Sequence, residues 1–121
     1  MKNIFALVLL VLSLPVLSES TDQVEVPPQV LGYGVRSCSD YLKTYAGWEQ
    51  EEELASLEYL RYRDWLTGFV TGLSLATGID VLQGVDTKAA MRRIQIHCED
   101  NSSDDVFIAT TALIKLLSNL R

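Results

Sequence analysis

The chain is poor in the residues that most often carry chemistry. Histidine occurs once, at His97, and cysteine twice, at Cys38 and Cys98. One histidine cannot hold zinc without further ligands, and no CxxC, HxxxH or HExxH spacing is present. A GxSxG elbow, a phosphate-binding glycine loop and a GxGxxG turn are missing as well. No cofactor or metal therefore has a recognisable set of ligands. Positive charge is also scarce: 10 Lys and Arg stand against 16 Asp and Glu, for a formal net charge of −6. Without a polybasic run, nucleic acid is not an expected partner. No stretch alternates as a half-buried strand would, and there is no internal repeat.

What is there begins with a leader. Met1-Lys2-Asn3 is a short basic start, Ile4 to Leu17 is apolar apart from Ser13 and Pro15, and small residues follow at Ser18 and Ser20. This pattern reads as a secretory signal peptide over 1–20, too short for a spanning helix, so no stable membrane insertion is expected. Cleavage after Ser18 or Ser20 satisfies the small-residue rule, with Ser20 preferred. Residues 21–36, with Pro27-Pro28 and two glycines, read as a tail that becomes ordered near Val30 to Tyr33. A single domain over 37–121 remains, of a size at which a covalent staple matters. In an exported chain two cysteines point to one disulfide, with a single intramolecular pairing, Cys38–Cys98. Two free thiols or an intermolecular bridge are the alternatives. The loop so closed holds about 60 residues, which the chain-entropy model values at about 4 kcal/mol.

Apolar periodicity predicts an all-α domain, a small bundle of about four helices. The first opens at Ser37 or Ser39, buries Cys38, Tyr41, Leu42 and Tyr45, and ends at Gly47. The acidic run Glu49 to Glu53 suits the solvated start of the next helix, and also a basic partner. The main helix is expected from Glu51 to Ala76, with Leu54, Leu57, Tyr62, Trp65, Leu66, Phe69, Leu73 and Ala76 inward. Gly68 and Gly72 share one of its faces, where each costs about 1 kcal/mol relative to alanine. Close passage of a neighbouring helix would offset that; approach of a ligand to the bare backbone is the functional alternative. After a connection between Gly78 and Gly84, Asp86 should cap a third helix, Thr87 to His97, that buries Ala90, Met91, Ile94 and Cys98. Ser102 and Asp105 have capping-box spacing ahead of a fourth helix. That helix sets Val106, Ala109, Thr110, Leu113, Leu116, Leu117 and Leu120 on one face.

Few of these residues suggest catalysis. His97 adjoins Cys98, the elements of a thiolate–imidazole pair, but neighbours on a helix point about 100° apart. The carboxylates at Glu51–Glu53 and Asp104-Asp105 stand at helix starts in water, the wrong surroundings for a general acid. The run Glu99 to Asp105 could tempt a calcium ion, but it lacks the EF-hand glycine and the distal bidentate Glu. A non-enzymatic chain is expected. Among the aromatic residues, Trp65 and Tyr62 belong to the core, while Trp48, beside a glycine, is the candidate for an exposed interface residue.

The segments SCSDYL at Ser37–Leu42 and HCEDNSSDDVF at His97–Phe107 resemble those of small exported helical proteins of the HdeA-like kind. WLTGFVTG at Trp65–Gly72 and IDVLQGVD at Ile79–Asp86 look more like a broad set of uncharacterised bacterial relatives of that family. The resemblance implies a periplasmic acid-stress chaperone that loosens at low pH and binds unfolded clients, with Cys38 and Cys98 as the residues that transfer. The long main helix with its Gly68/Gly72 pair departs from the chaperones. Periplasmic immunity proteins against secreted effectors are also helical, disulfide-linked and of this length, though often richer in cysteine. The expected function is therefore protein binding in the periplasm or outside the cell: an HdeA-like client-binding role first, an immunity or inhibitor role second. The expected partners are unfolded clients, a protein effector or a second copy of the chain. Trp48, Gly68 and Gly72 are the candidate interface residues.

Overall fold

The computed structural model describes residues 13–16 and 24–120. The expected leader, 1–20, and its cleavage points Ser18 and Ser20 lie outside these residues, apart from 13–16. Among the described residues a 3-10 turn, Gly32–Val35, precedes four α-helices: α1 (Cys38–Glu49), α2 (Glu53–Thr77), α3 (Thr87–Asp100) and α4 (Val106–Ser118). The expected all-α class and the Cys38–Cys98 disulfide are both present, with the two Cα atoms 5.0 Å apart. The only strand-like pairing among the described residues is an isolated bridge between Ser37 and Asp105. In it the Cys38 amide donates to the Asp104 carbonyl (2.8 Å) and the Val106 amide to the Arg36 carbonyl (2.9 Å). This bridge seats the start of α1 against the start of α4, beside the disulfide.

Local chemistry sets most of the boundaries. The Ser37 hydroxyl accepts from the Asp40 amide (3.1 Å), the Asp86 carboxylate from the Ala89 amide (2.7 Å) and the Asp105 carboxylate from the Ile108 amide (2.8 Å). Each satisfies an amide that the first helical turn leaves without a partner. Gly78 closes α2 in the left-handed conformation, φ 74°, which costs a residue without a side chain little.

Several boundary and burial expectations are corrected. Gly47 does not end α1, which continues to Glu49. Gly47 is buried inside the helix, where a Cβ would collide with the Ala55 methyl and the Glu52 carboxylate. It serves close packing of α1 on the start of α2 and does not break the helix. α2 starts at Glu53, because Glu51 lies in the preceding turn at φ 57°. Asp105 is itself the N-cap of α4, so Ser102 is no part of its cap. Leu54, Leu57, Leu116 and Leu120, expected inside, are exposed.

The core lies where α1 packs on α2 and α3, and α3 on α4. Tyr41, Tyr45, Tyr59, Tyr62, Leu66, Ala90, Met91, Ile94, Val106, Ala109 and Leu113 surround the disulfide. Each large aliphatic side chain buried there contributes about 1.5–3 kcal/mol. On α2 the buried face is Tyr59, Tyr62, Leu66 and Val70, at helical spacing. The 3-10 turn packs on α2 and α4. Its Gly34 lies so close under the Trp65 ring that a Cβ there would overlap the indole. The Trp65 indole Nε1–H donates to the Leu31 carbonyl (3.0 Å). The Tyr33 hydroxyl donates to the Glu58 carboxylate (3.0 Å), and the Arg36 guanidinium sits 4.5 Å from the Tyr33 ring centre. From Leu31 onward the chain thus packs against the helices.

Candidate interaction surfaces

The buried aromatic side chains form a connected cluster. Tyr62 meets Tyr33 and Tyr41 edge-on, at ring separations of 4.9 and 5.1 Å, and Tyr45 lies 6.0 Å from both Tyr41 and Tyr59. The Tyr41 hydroxyl donates to the Met91 carbonyl (2.6 Å), tying α1 to α3. The Tyr62 hydroxyl is buried without a protein partner. Burial disfavours the tyrosinate, so the phenols of Tyr41, Tyr45 and Tyr59 are raised, and that of Tyr62 is pushed up to about 12. Neighbouring phenols add to the rise at Tyr41, and the Glu49 carboxylate to that at Tyr45.

At the edge of this cluster lies the first surface. Trp48 stacks flat on Tyr59, with ring centres 4.0 Å apart and planes 5° apart, and is half-buried. Its exposed side helps line a groove of about 570 Å³ with Tyr45, Glu49, Glu51, Asp86, Lys88 and Arg92. The end of α1 supplies one wall and the start of α3 the other. The Lys88 ammonium is 5.9 Å from the Trp48 ring centre. Three carboxylates and two cations over an aromatic floor suit a polar protein surface. Sequence reasoning singled out Trp48 but missed Asp86, Lys88 and Arg92 as its neighbours. They stand about 40 residues away, and no local signal joins them.

The second surface is the outer side of α2. Gly68 and Gly72 are exposed there, and nothing lies within 4 Å of where their Cβ atoms would be. The expected close passage of a neighbouring helix is therefore overturned. Toward the C-terminal end of α2, Leu75 and Ile79 are exposed beside Val70. Trp48 and the glycine pair are not brought together, since Tyr59, on which Trp48 stacks, points to the opposite side of α2.

The third surface, unanticipated from sequence, is a narrow groove between α3 and α4. It is lined by Arg93, Ile96, His97, Ala109, Ala112, Leu113 and Leu116. Ala109 and Ala112 leave room there, the one signal that could have indicated it. The His97 Nε2 is 2.8 Å from the Asp104 carboxylate. Cys98 is bonded to Cys38 and offers no thiolate to that imidazole. The carboxylates considered for calcium are separately engaged: Glu99 with the Gln95 amide (2.7 Å), Asp104 with His97 and Asp105 with the start of α4. Among the described residues no three metal-binding side chains cluster. No described helix is long and apolar enough to cross a membrane.

Fold and surfaces together define a class, a disulfide-linked four-helix domain with open, partly apolar faces. Compared with protein-family models, curated proteins and solved structures, the chain matches none.

Proposed function

We propose that the chain is an exported, non-enzymatic protein-binding domain of the periplasm that holds unfolded clients under acid stress, in the manner of the HdeA-like proteins it resembles. The observation that supports this reading is the distribution of large apolar side chains. A buried core surrounds one disulfide, yet Leu75, Ile79, Ile96, Leu116 and Leu120 stand in water on α2, α3, α4 and their flanks. Exposed apolar faces of this kind suit non-specific capture of extended chains. Strong acid removes the negative charge of carboxylates as a class. The Lys and Arg residues would then repel one another and loosen the helices further. The disulfide keeps α1 and α3 joined while that happens.

The experiment is an acid titration of the oxidised protein, followed by near-UV circular dichroism, by binding of an apolar dye and by protection of an unrelated protein from acid aggregation. Loss of tertiary signal with retained helix, dye binding and protection is the expected result. A chain that unfolds, or stays rigid, without protecting anything overturns the reading. The Trp48 groove favours a second reading, an immunity or inhibitor protein with one structured partner. Its carboxylates, continuous with the Glu49 to Glu53 run, would meet basic side chains of that partner, and Trp48→Ala would abolish the binding.

A further inference from the structure

The outer face of α2 raises a question that packing within the chain does not answer. Two helical glycines, each costing about 1 kcal/mol relative to alanine, have nothing inside the molecule that requires them. On the same face, Leu54 is 78% and Leu57 53% exposed. Successive helical residues turn by about 100°. Leu54, Leu57, Arg61, Asp64, Gly68 and Gly72 all fall within about 40° of the direction opposite the buried Tyr59. From Leu54 to Gly72 this stripe, more than four turns long, therefore carries two leucines, two opposite charges and two gaps, and the exposed Leu75 continues it toward the end of the helix.

The order along the stripe is what matters. Leu57 and Gly68 lie symmetrically about the midpoint between Tyr62 and Arg63, and so do Arg61 and Asp64. Leu54 lies symmetrically to Thr71, beside Gly72. A second copy of α2 laid antiparallel across a two-fold axis at that midpoint would set each Leu57 over Gly68 of the other copy. Leu54 would meet the Thr71–Gly72 turn, and Arg61 would meet Asp64. A parallel pairing would instead set Arg61 on Arg61 and Asp64 on Asp64, and bring leucine onto leucine. The present neighbours of the two charges are weak ones at the surface: Arg61 is 3.5 Å from Glu58, and Asp64 is 3.8 Å from Arg63. Arg61 also donates to the Tyr33 hydroxyl (3.3 Å), so pairing with a second copy would exchange these exposed contacts for new ones.

From this self-complementarity of size and charge we infer that α2 is a homodimer interface, in which the Gly68/Gly72 face receives Leu57 and Leu54 of a second, antiparallel copy. Bare glycine backbone lets two helices approach closely, and a closed two-fold pairing uses the same patch on both subunits. One helix face is at the small end of stable interfaces, so association is weak and depends on concentration. The inference does not rest on client capture, which the acid assay reads separately.

Sedimentation of the oxidised protein at neutral pH, from micromolar to near-millimolar concentration, is the test. A reversible monomer–dimer equilibrium is expected. Gly68→Leu should weaken it at least tenfold while raising the melting temperature of the monomer, since a Cβ at this exposed position meets nothing within 4 Å and leucine favours the helix. Those opposite movements separate loss of an interface from loss of the fold. Leu57→Ala should also weaken the dimer. Combined with Gly68→Leu it should restore part of the affinity, because large and small then change places across the axis. A chain that stays monomeric throughout, or a dimer untouched by Gly68→Leu, overturns the inference.

Discussion

Tyr41 and Tyr62 touch each other edge-on in the same core, yet only one of them has a use for its hydroxyl. Tyr41 donates to the Met91 carbonyl at 2.6 Å, whereas Tyr62 has no protein partner. A buried hydrogen bond is worth about 1 kcal/mol net, and a buried polar group left alone is a cost. Tyr41→Phe should therefore lower stability by about 1 kcal/mol. Tyr62→Phe, which keeps the ring and removes the orphan, should be neutral or raise stability by up to about 1 kcal/mol. Urea unfolding of the two variants followed by circular dichroism checks the pair. Equal losses would mean that Tyr62 does have a hydrogen-bond partner in solution.

At the scale of elements, the start of α4 shows what a short motif does and does not reveal. The capping-box spacing of Ser102 and Asp105 makes Ser102 the N-cap, whereas in the structure Asp105 holds that place: its carboxylate accepts from the Ile108 amide at 2.8 Å. Asp105→Ala should cost about 1 kcal/mol, the usual value of such a cap, while Ser102→Ala should leave the thermal midpoint unchanged. A comparable drop in both variants would return Ser102 to the cap. Helix starts at Ser37 and Asp86 were legible because a cap acts within three residues. Gly47 misled because its signal is local and its cause is not: the helix continues through it, and Ala55 needs the space. Leu54 and Leu57 misled because apolar spacing names a stripe but not the side that neighbours cover. Of the candidate interface residues, Trp48 was legible as a half-exposed aromatic. Its groove was not, since α3 brings Asp86, Lys88 and Arg92 to it from far along the chain.

The molecule as a whole is held from two sides, by the disulfide with its flanking bridge and by the tyrosine cluster linking the 3-10 turn, α1 and α2. The disulfide is indifferent to protons, but the cluster is not. Its phenols at Tyr41, Tyr45, Tyr59 and Tyr62 are raised above their ordinary value, chiefly by burial, and that of Tyr62 reaches about 12. In the unfolded chain a tyrosine ionises near pH ~10. Between that value and the folded one, the native state binds more protons than the unfolded state, so stability falls as pH rises. The contribution is complete below pH ~10 and disappears as pH climbs through the folded values. Alkali should therefore unfold the domain in one transition, with tyrosinate absorbance and loss of helical circular dichroism rising together. Tyr62→Phe should move that transition upward by removing one of the groups that drives it. Tyrosinate appearing near pH ~10 with the helices intact would show instead that water reaches the cluster, and that its rings are not what joins α1 to α2.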